Sequence, residues 1–179
     1  MLKRTQLLFA LSLFASSAVV AAPHLAAFAV PEHGSVQLSI PDGWASQFNQ
    51  PKGAVPPTVF LAPKNGQPFE IYVNLWWPTG DDQTIDESAL QQQVADSAKE
   101  MEDSAAETDI QVTEITGIDG HGYYFTVTDP APQPDEFMYM TKGLLKLDSL
   151  VLAFTVFTND GQDDVVEEAL KLLTTAEHK

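Results

Sequence analysis

No cysteine occurs among the 179 residues, so disulfides, thiol catalysis and a lipid carried on an N-terminal cysteine are all excluded. Arginine occurs once, as Arg4, and the chain's 9 lysine and arginine residues face 25 aspartates and glutamates, a formal charge of −16. Phosphate backbones and anionic lipid headgroups repel a chain this negative, which argues against nucleic acid and membrane-surface binding. No Gly-x-Ser-x-Gly elbow, Walker loop, dinucleotide glycine signature or His-Glu-x-x-His pair is present, and no internal repeat. No catalytic residue is assigned, and an enzyme is not the expectation. The partner that such a field favours is a cationic protein or a divalent cation, although solubility alone accounts for the acidity of many secreted proteins.

What is present begins with a secretory pattern. Met1-Leu2-Lys3-Arg4 is followed by an apolar run over residues 7–20, broken only by Ser12, Ser16 and Ser17, and then by the small residues Ala21 and Ala22. Cleavage after Val19-Val20-Ala21 avoids placing Pro23 directly behind the scissile bond. The expected organisation is a cleaved signal peptide over 1–21 and a single domain over 22–179. Pro23 and His24 interrupt the run before the roughly 20 apolar residues that a membrane span requires, so no membrane insertion is expected after cleavage. Removing Arg4 with the leader leaves 158 residues at a charge of −18. A chain of that length buries about 70% of its unfolded surface and needs no disulfide. The expected location is a periplasm or the secreted fraction.

The strongest strand signal is residues 150–157, an unbroken apolar run that puts Leu150, Leu152, Phe154 and Val156 on one face and Val151, Ala153, Thr155 and Phe157 on the other. A strand apolar on both faces belongs in the middle of a covered sheet. Residues 137–142 alternate before it, and Leu147-Asp148-Ser149 is polar enough to turn between the two. Earlier strands are expected from Phe28, over 35–40 with Val36, Leu38 and Ile40 inward, over 58–62, and over 69–77 with Phe69, Ile71, Val73, Leu75 and Trp77 on the core face. Lys64-Asn65-Gly66 is a hairpin turn, because Asn-Gly accepts positive φ. Residues 110–118 and 123–128 are further strands, with Tyr123, Phe125 and Val127 sharing a face. Prolines stiffen loops at 50–57 and 129–135.

Two helices are expected. Thr84-Ile85-Asp86-Glu87 has the form of a capping box with Thr84 as N-cap, ahead of Leu90, Val94, Ala98, Met101 and Ala105 at helical spacing. Residues 81–109 carry ten carboxylates and one lysine, for which a solvated face is the ordinary explanation. The second helix spans 163–177, with Val166, Ala169, Leu170 and Leu173 as its stripe and Asp163, Asp164, Glu167 and Glu168 at its positive end. Two helices and one antiparallel sheet apolar on both faces give an α+β fold, a three-layer α/β/α sandwich.

In this layout, Val36-Gln37-Leu38-Ser39-Ile40-Pro41-Asp42-Gly43-Trp44 resembles the early strand ending in Pro-x-Gly-Trp of the Mog1/PsbP-like family, which includes the DcrB-type small periplasmic proteins. The likeness covers nearly all of the expected mature domain. It implies a non-catalytic accessory, assembly or adaptor role, in some members associated with divalent ions. DcrB-type members are tethered through a lipidated cysteine, and that property does not carry over to a chain without cysteine.

Candidate sites are few. Tyr72 and Trp76 stand two pleats apart on one face of their strand and form either an aromatic binding patch or the layer beneath a helix; Trp44 is a third large ring beside a turn. Asn159-Asp160-Gly161-Gln162-Asp163-Asp164 has the ligand types of a calcium site in Asp160, Asp163 and Asp164 but not the EF-hand order, and helix capping explains it equally. Asp81, Asp82 and Asp86 form a similar cluster. Of the four histidines, His24 and His178 lie near the mature ends, while His33 and His121 occupy turns. A hydrolase or metalloenzyme built on His121 and nearby carboxylates is the alternative reading; it requires His33 and His121 to meet beside Glu32 or Asp119. The leading expectation is an exported, non-catalytic binding or accessory protein without a cofactor, and calcium binding is its variant.

Overall fold

The apolar run Leu150–Thr158 is the middle strand of a seven-stranded antiparallel sheet in a computed structural model that describes residues 22–52, 55–78 and 86–179. In chain order the elements are β1 (His24–Ala29), β2 (Ser35–Ile40), β3 (Trp44–Asn49), β4 (Thr58–Pro63), β5 (Glu70–Trp76), α1 (Glu87–Met101), β6 (Thr113–Thr116), β7 (Gly120–Thr128), β8 (Tyr139–Leu147), β9 (Leu150–Thr158), α2 (Asp163–Thr174) and β10 (Glu177–His178). The large sheet runs β3-β4-β5-β9-β8-β7-β6, and β1-β2-β10 form a second sheet of three. The expected signal peptide, Thr84, Asp81 and Asp82 lie outside the described residues.

Alternation along β9 divides the interior in two. Leu150, Leu152, Phe154 and Val156 join Val36, Leu38 and Ile40 of β2 and Ala169, Leu172 and Leu173 of α2 in the larger cluster. Val151 joins Leu90, Val94 and Ala98 of α1, together with Tyr123, Phe125 and Val127 of β7, in the smaller one. Helix α2 packs on β9 and β2, and α1 packs on β7 and β8. A sandwich with helices over the whole of both faces is not what these contacts outline, because α1 packs mainly on β7 and β8 and β5 meets its cluster through Trp76.

The expectation of one sheet is corrected. Pro41 cannot donate a ladder hydrogen bond, and Trp44 N–H bonds back to Pro41 O at 3.0 Å, so the chain leaves β2 through a closed turn and enters a different sheet as β3. β3 was not foreseen, since it is an edge strand whose residues after Trp44 are all exposed and carry no alternation. The last helix stops at Thr174 rather than continuing to 177. The hydroxyls of Thr174 and Thr175 both bond back to Lys171 O, at 3.0 and 2.9 Å, and the tail then pairs with β2 as β10. β6 is shorter than the expected 110–118. The N-cap of α1 is Asp86, whose carboxylate accepts Ser88 N–H at 3.1 Å. The expected reversal between β4 and β5 is present as a longer loop of bends rather than a tight Asn-Gly turn: Gly66 takes φ 98° but Asn65 does not adopt positive φ.

Candidate functional site

Period-two geometry and the register of the large sheet place Phe60 of β4, Tyr72 of β5 and Phe157 of β9 on the same face as Val151. That is the face on which α1 packs, but these three rings are only half-buried. They form a row: Phe60 and Tyr72 are 5.1 Å apart between centroids, Tyr72 and Phe157 6.3 Å, and Phe157 stacks on Phe137 at 5.8 Å. Tyr72 O–H donates to Glu70 at 2.8 Å, and that bond, with burial and the Glu70 charge, raises its phenol above the ordinary value.

The row ends in a groove of about 210 Å³. Met101 enters it from the end of α1, Met138, Tyr139 and Met140 from the start of β8, and Phe137 and Phe157 close it against the row. The proline loop that begins at Asp129 frames one side, and no lysine lines it. Its shape is set by polar contacts nearby. Glu107 accepts both N–H and O–H of Thr128, at 2.9 and 2.6 Å, and so ties the segment after α1 to the end of β7. Burial pushes the Glu107 carboxyl up, but the bonds from Thr128 and its own backbone outweigh this and hold it below the usual range. A depressed folded pKa means stability present above the unfolded value of about 4.3 and lost as the pH falls through the lowered one. Glu107→Gln is therefore expected to lower stability at pH 7, where the carboxylate's contribution is fully present, to change little once the pH is below the lowered pKa, and so to flatten the acid limb of the stability curve, as checked by urea melts from pH 7 downward.

The segment read as a calcium site does other work. Asn159 Oδ1 accepts Met138 N–H at 3.2 Å, and Gln162, itself buried, accepts Asn159 N–H at 2.8 Å. Asp160 accepts Tyr139 O–H at 2.7 Å, which together with burial raises the tyrosine's pKa, and Asp163 and Asp164 occupy the first turn of α2. Asp160, Asp163 and Asp164 do not converge, and among the described residues no three acidic, histidine or cysteine side chains group to hold a metal. The segment holds the entry to β8, and with it one wall of the groove.

His121 does not meet His33. Its ring nitrogens face Glu87 at 2.9 Å and Glu114 at 3.8 Å, and Tyr123 O–H stands 3.2 Å away, whereas the His33 ring lies 4.6 Å from Trp77. The carboxylates beside His121 are thus Glu87 and Glu114 rather than Glu32 or Asp119. Trp44 is also separate from the row. It is buried in the larger cluster, 5.0 Å from Phe69, and walls a cleft of about 580 Å³ against α2. Trp76 shares the face of Tyr72 but packs against the α1 cluster. Trp77, expected on the core face of β5, lies just past the end of the strand and packs against the larger cluster.

This architecture is similar to that of a solved structure. The solution structure of the cyanobacterial PsbP (CyanoP) of Synechocystis sp. PCC 6803 superposes with a TM-score of 0.56 at 13% identity, covering 93% of this chain and 99% of that one. The fold is PsbP-like. No family model matches the sequence, and no curated protein matches it. At such low identity the likeness speaks for the fold alone, and it bears out the resemblance read from residues 36–44. Sequence reasoning had singled out Tyr72 but missed Phe60, Phe137 and the methionines; the alternation of Met138 and Met140 about Tyr139 was the available signal.

Proposed function

We propose that this chain is an exported, non-catalytic accessory protein that docks a cationic protein on the face carrying the Phe60-Tyr72-Phe157-Phe137 row. The observation that carries the reading is that row of half-buried rings on the face of the sheet where α1 packs, away from its main contacts with β7 and β8. Rings in such a setting supply large contact area at low entropic cost, and the carboxylates around them steer a positive partner. Export rests on the leader pattern of residues 1–21 and places the protein in a periplasm or the secreted fraction; no cofactor enters this reading. The PsbP-like fold and the Mog1/PsbP-like resemblance support an accessory role.

The test is capture from the extracellular or periplasmic extract of the source cell on immobilised protein. A positively charged partner is expected to be retained at low salt and lost at about 1 M salt, where the Debye length is about 3 Å. Millimolar calcium is expected to leave the capture unchanged. Equal retention at both salt concentrations removes the electrostatic half of the reading, and undiminished retention by a Phe60→Ala/Tyr72→Ala variant removes the aromatic half.

A further inference from the structure

We infer that the groove at the end of the aromatic row is an anchor pocket for one apolar side chain of a partner segment that carries lysine or arginine on both sides of that residue. The inference rests on the docking face proposed above and names what that face recognises. The chain has 4 methionines, and three of them, Met101, Met138 and Met140, line this one groove. Thioether side chains are unbranched and polarizable, so they mould to inserted groups of different shape and make favourable contacts with aromatic rings. The groove's volume, about 210 Å³, is below the roughly 300 to 1,000 Å³ of sites that enclose a drug-sized ligand, which suits a single side chain better than a free small molecule.

Charge decides what flanks that side chain. Asp129 lies in the groove wall, Asp160 holds the Tyr139 hydroxyl at 2.7 Å, and the charges of Asp163 and Glu107 also act on Tyr139. An apolar floor with Asp129 in its wall, further carboxylates acting on Tyr139 and no lysine in the lining repels an acidic peptide and a fatty-acid headgroup. It complements an apolar residue set among cations. A bare cation would gain from the rim but leave the floor unused, except for copper(I), for which thioether sulfur is itself a ligand.

Methionine methyl resonances of the full protein test this directly, since three of four report on the groove. The probe is a synthetic peptide with one phenylalanine flanked by lysines, alongside a second with glutamates in place of the lysines. The lysine peptide is expected to shift the methyl signals of Met101, Met138 and Met140 and to lose affinity with salt, while the glutamate peptide leaves them in place. Met138→Gln/Met140→Gln is expected to weaken the lysine peptide about tenfold. If that variant misfolds, the methyl shifts of the unaltered protein decide alone. Equal shifts with both peptides, copper(I) saturating the methyl signals and excluding the peptide, or methyl shifts on self-association of the protein without peptide would each overturn the inference. If Phe60 and Tyr72 respond to the lysine peptide while the methionine methyls stay fixed, the anchor pocket is wrong and the docking face stands.

Discussion

Phe154→Ala is expected to cost about 3 to 5 kcal/mol, a large share of the 5 to 15 kcal/mol that holds a domain of this size folded. The ring is 1% exposed on the middle strand, between Val73 of β5 and Gly143 of β8. A Cβ at Gly143 would stand 2.6 Å from Cζ of the phenylalanine, so the ring fills the space that glycine leaves open in the neighbouring strand. Strands hydrogen-bonded on both sides cannot close over the void, and the buried α2 residues of the same cluster have little room to shift. The truncation therefore loses transfer energy and leaves a cavity. Urea denaturation with an unchanged m-value should show the loss, and the midpoint of thermal melting should fall by about 10 °C or more. A loss below about 1 kcal/mol would mean that Phe154 is not at the centre of the core.

Much of this interior was legible because the residues that build it obey a strict period. Leu150 to Val156 alternate between two clusters as expected, and Val36, Leu38, Ile40, Ile71, Val73 and Leu75 are all fully buried. Elements without such a period were not legible. β3 is a polar edge strand, and β10 is two residues long and exists only because β2 offers an open edge to the tail. The division into two sheets was hidden for a related reason: alternation says which side of a strand is buried, not which strand lies beside it. Only the pairing of β2 with β1 and β10 separates them.

The site was legible only in fragments. Tyr72 could be placed on a mixed face of its strand, but whether a helix covered it depended on where α1 lies, which no local pattern sets. The helix packs on β7 and β8, so Trp76 is taken into the smaller cluster while Tyr72 meets Phe60 and Phe157. Phe60 and Phe157 lie almost a hundred residues apart and are brought into one row only by the β4-β5-β9 register. Asp160, Asp163 and Asp164 were ambiguous for the opposite reason. Ligand type was present, but the tyrosine hydroxyl and the first turn of α2 engage the same groups.

Phe157→Ala is the counterpart of Phe154→Ala, three positions along the same strand and on its opposite face. Phe157 is half-buried, pairs with Met140 in register, and sits between Tyr72 and Phe137, so it joins the aromatic row to the methionine groove. Its truncation removes a ring that is partly solvated already, and the stability cost is expected to be well below that of Phe154→Ala, about 1 to 2 kcal/mol. The larger effect falls on binding. An aromatic ring at the centre of a docking face is the kind of residue whose truncation costs about 2 kcal/mol or more, which is about thirtyfold in affinity. Measured with the lysine-flanked phenylalanine peptide or a captured partner, Phe157→Ala should bind about thirtyfold more weakly at a temperature where it remains folded. Phe154→Ala, held well below its own melting midpoint, should bind nearly as the parent does. The reverse pattern, with binding lost in Phe154→Ala and kept in Phe157→Ala, would place the partner on the α2 side of the sheet, where Trp44 walls the larger cleft.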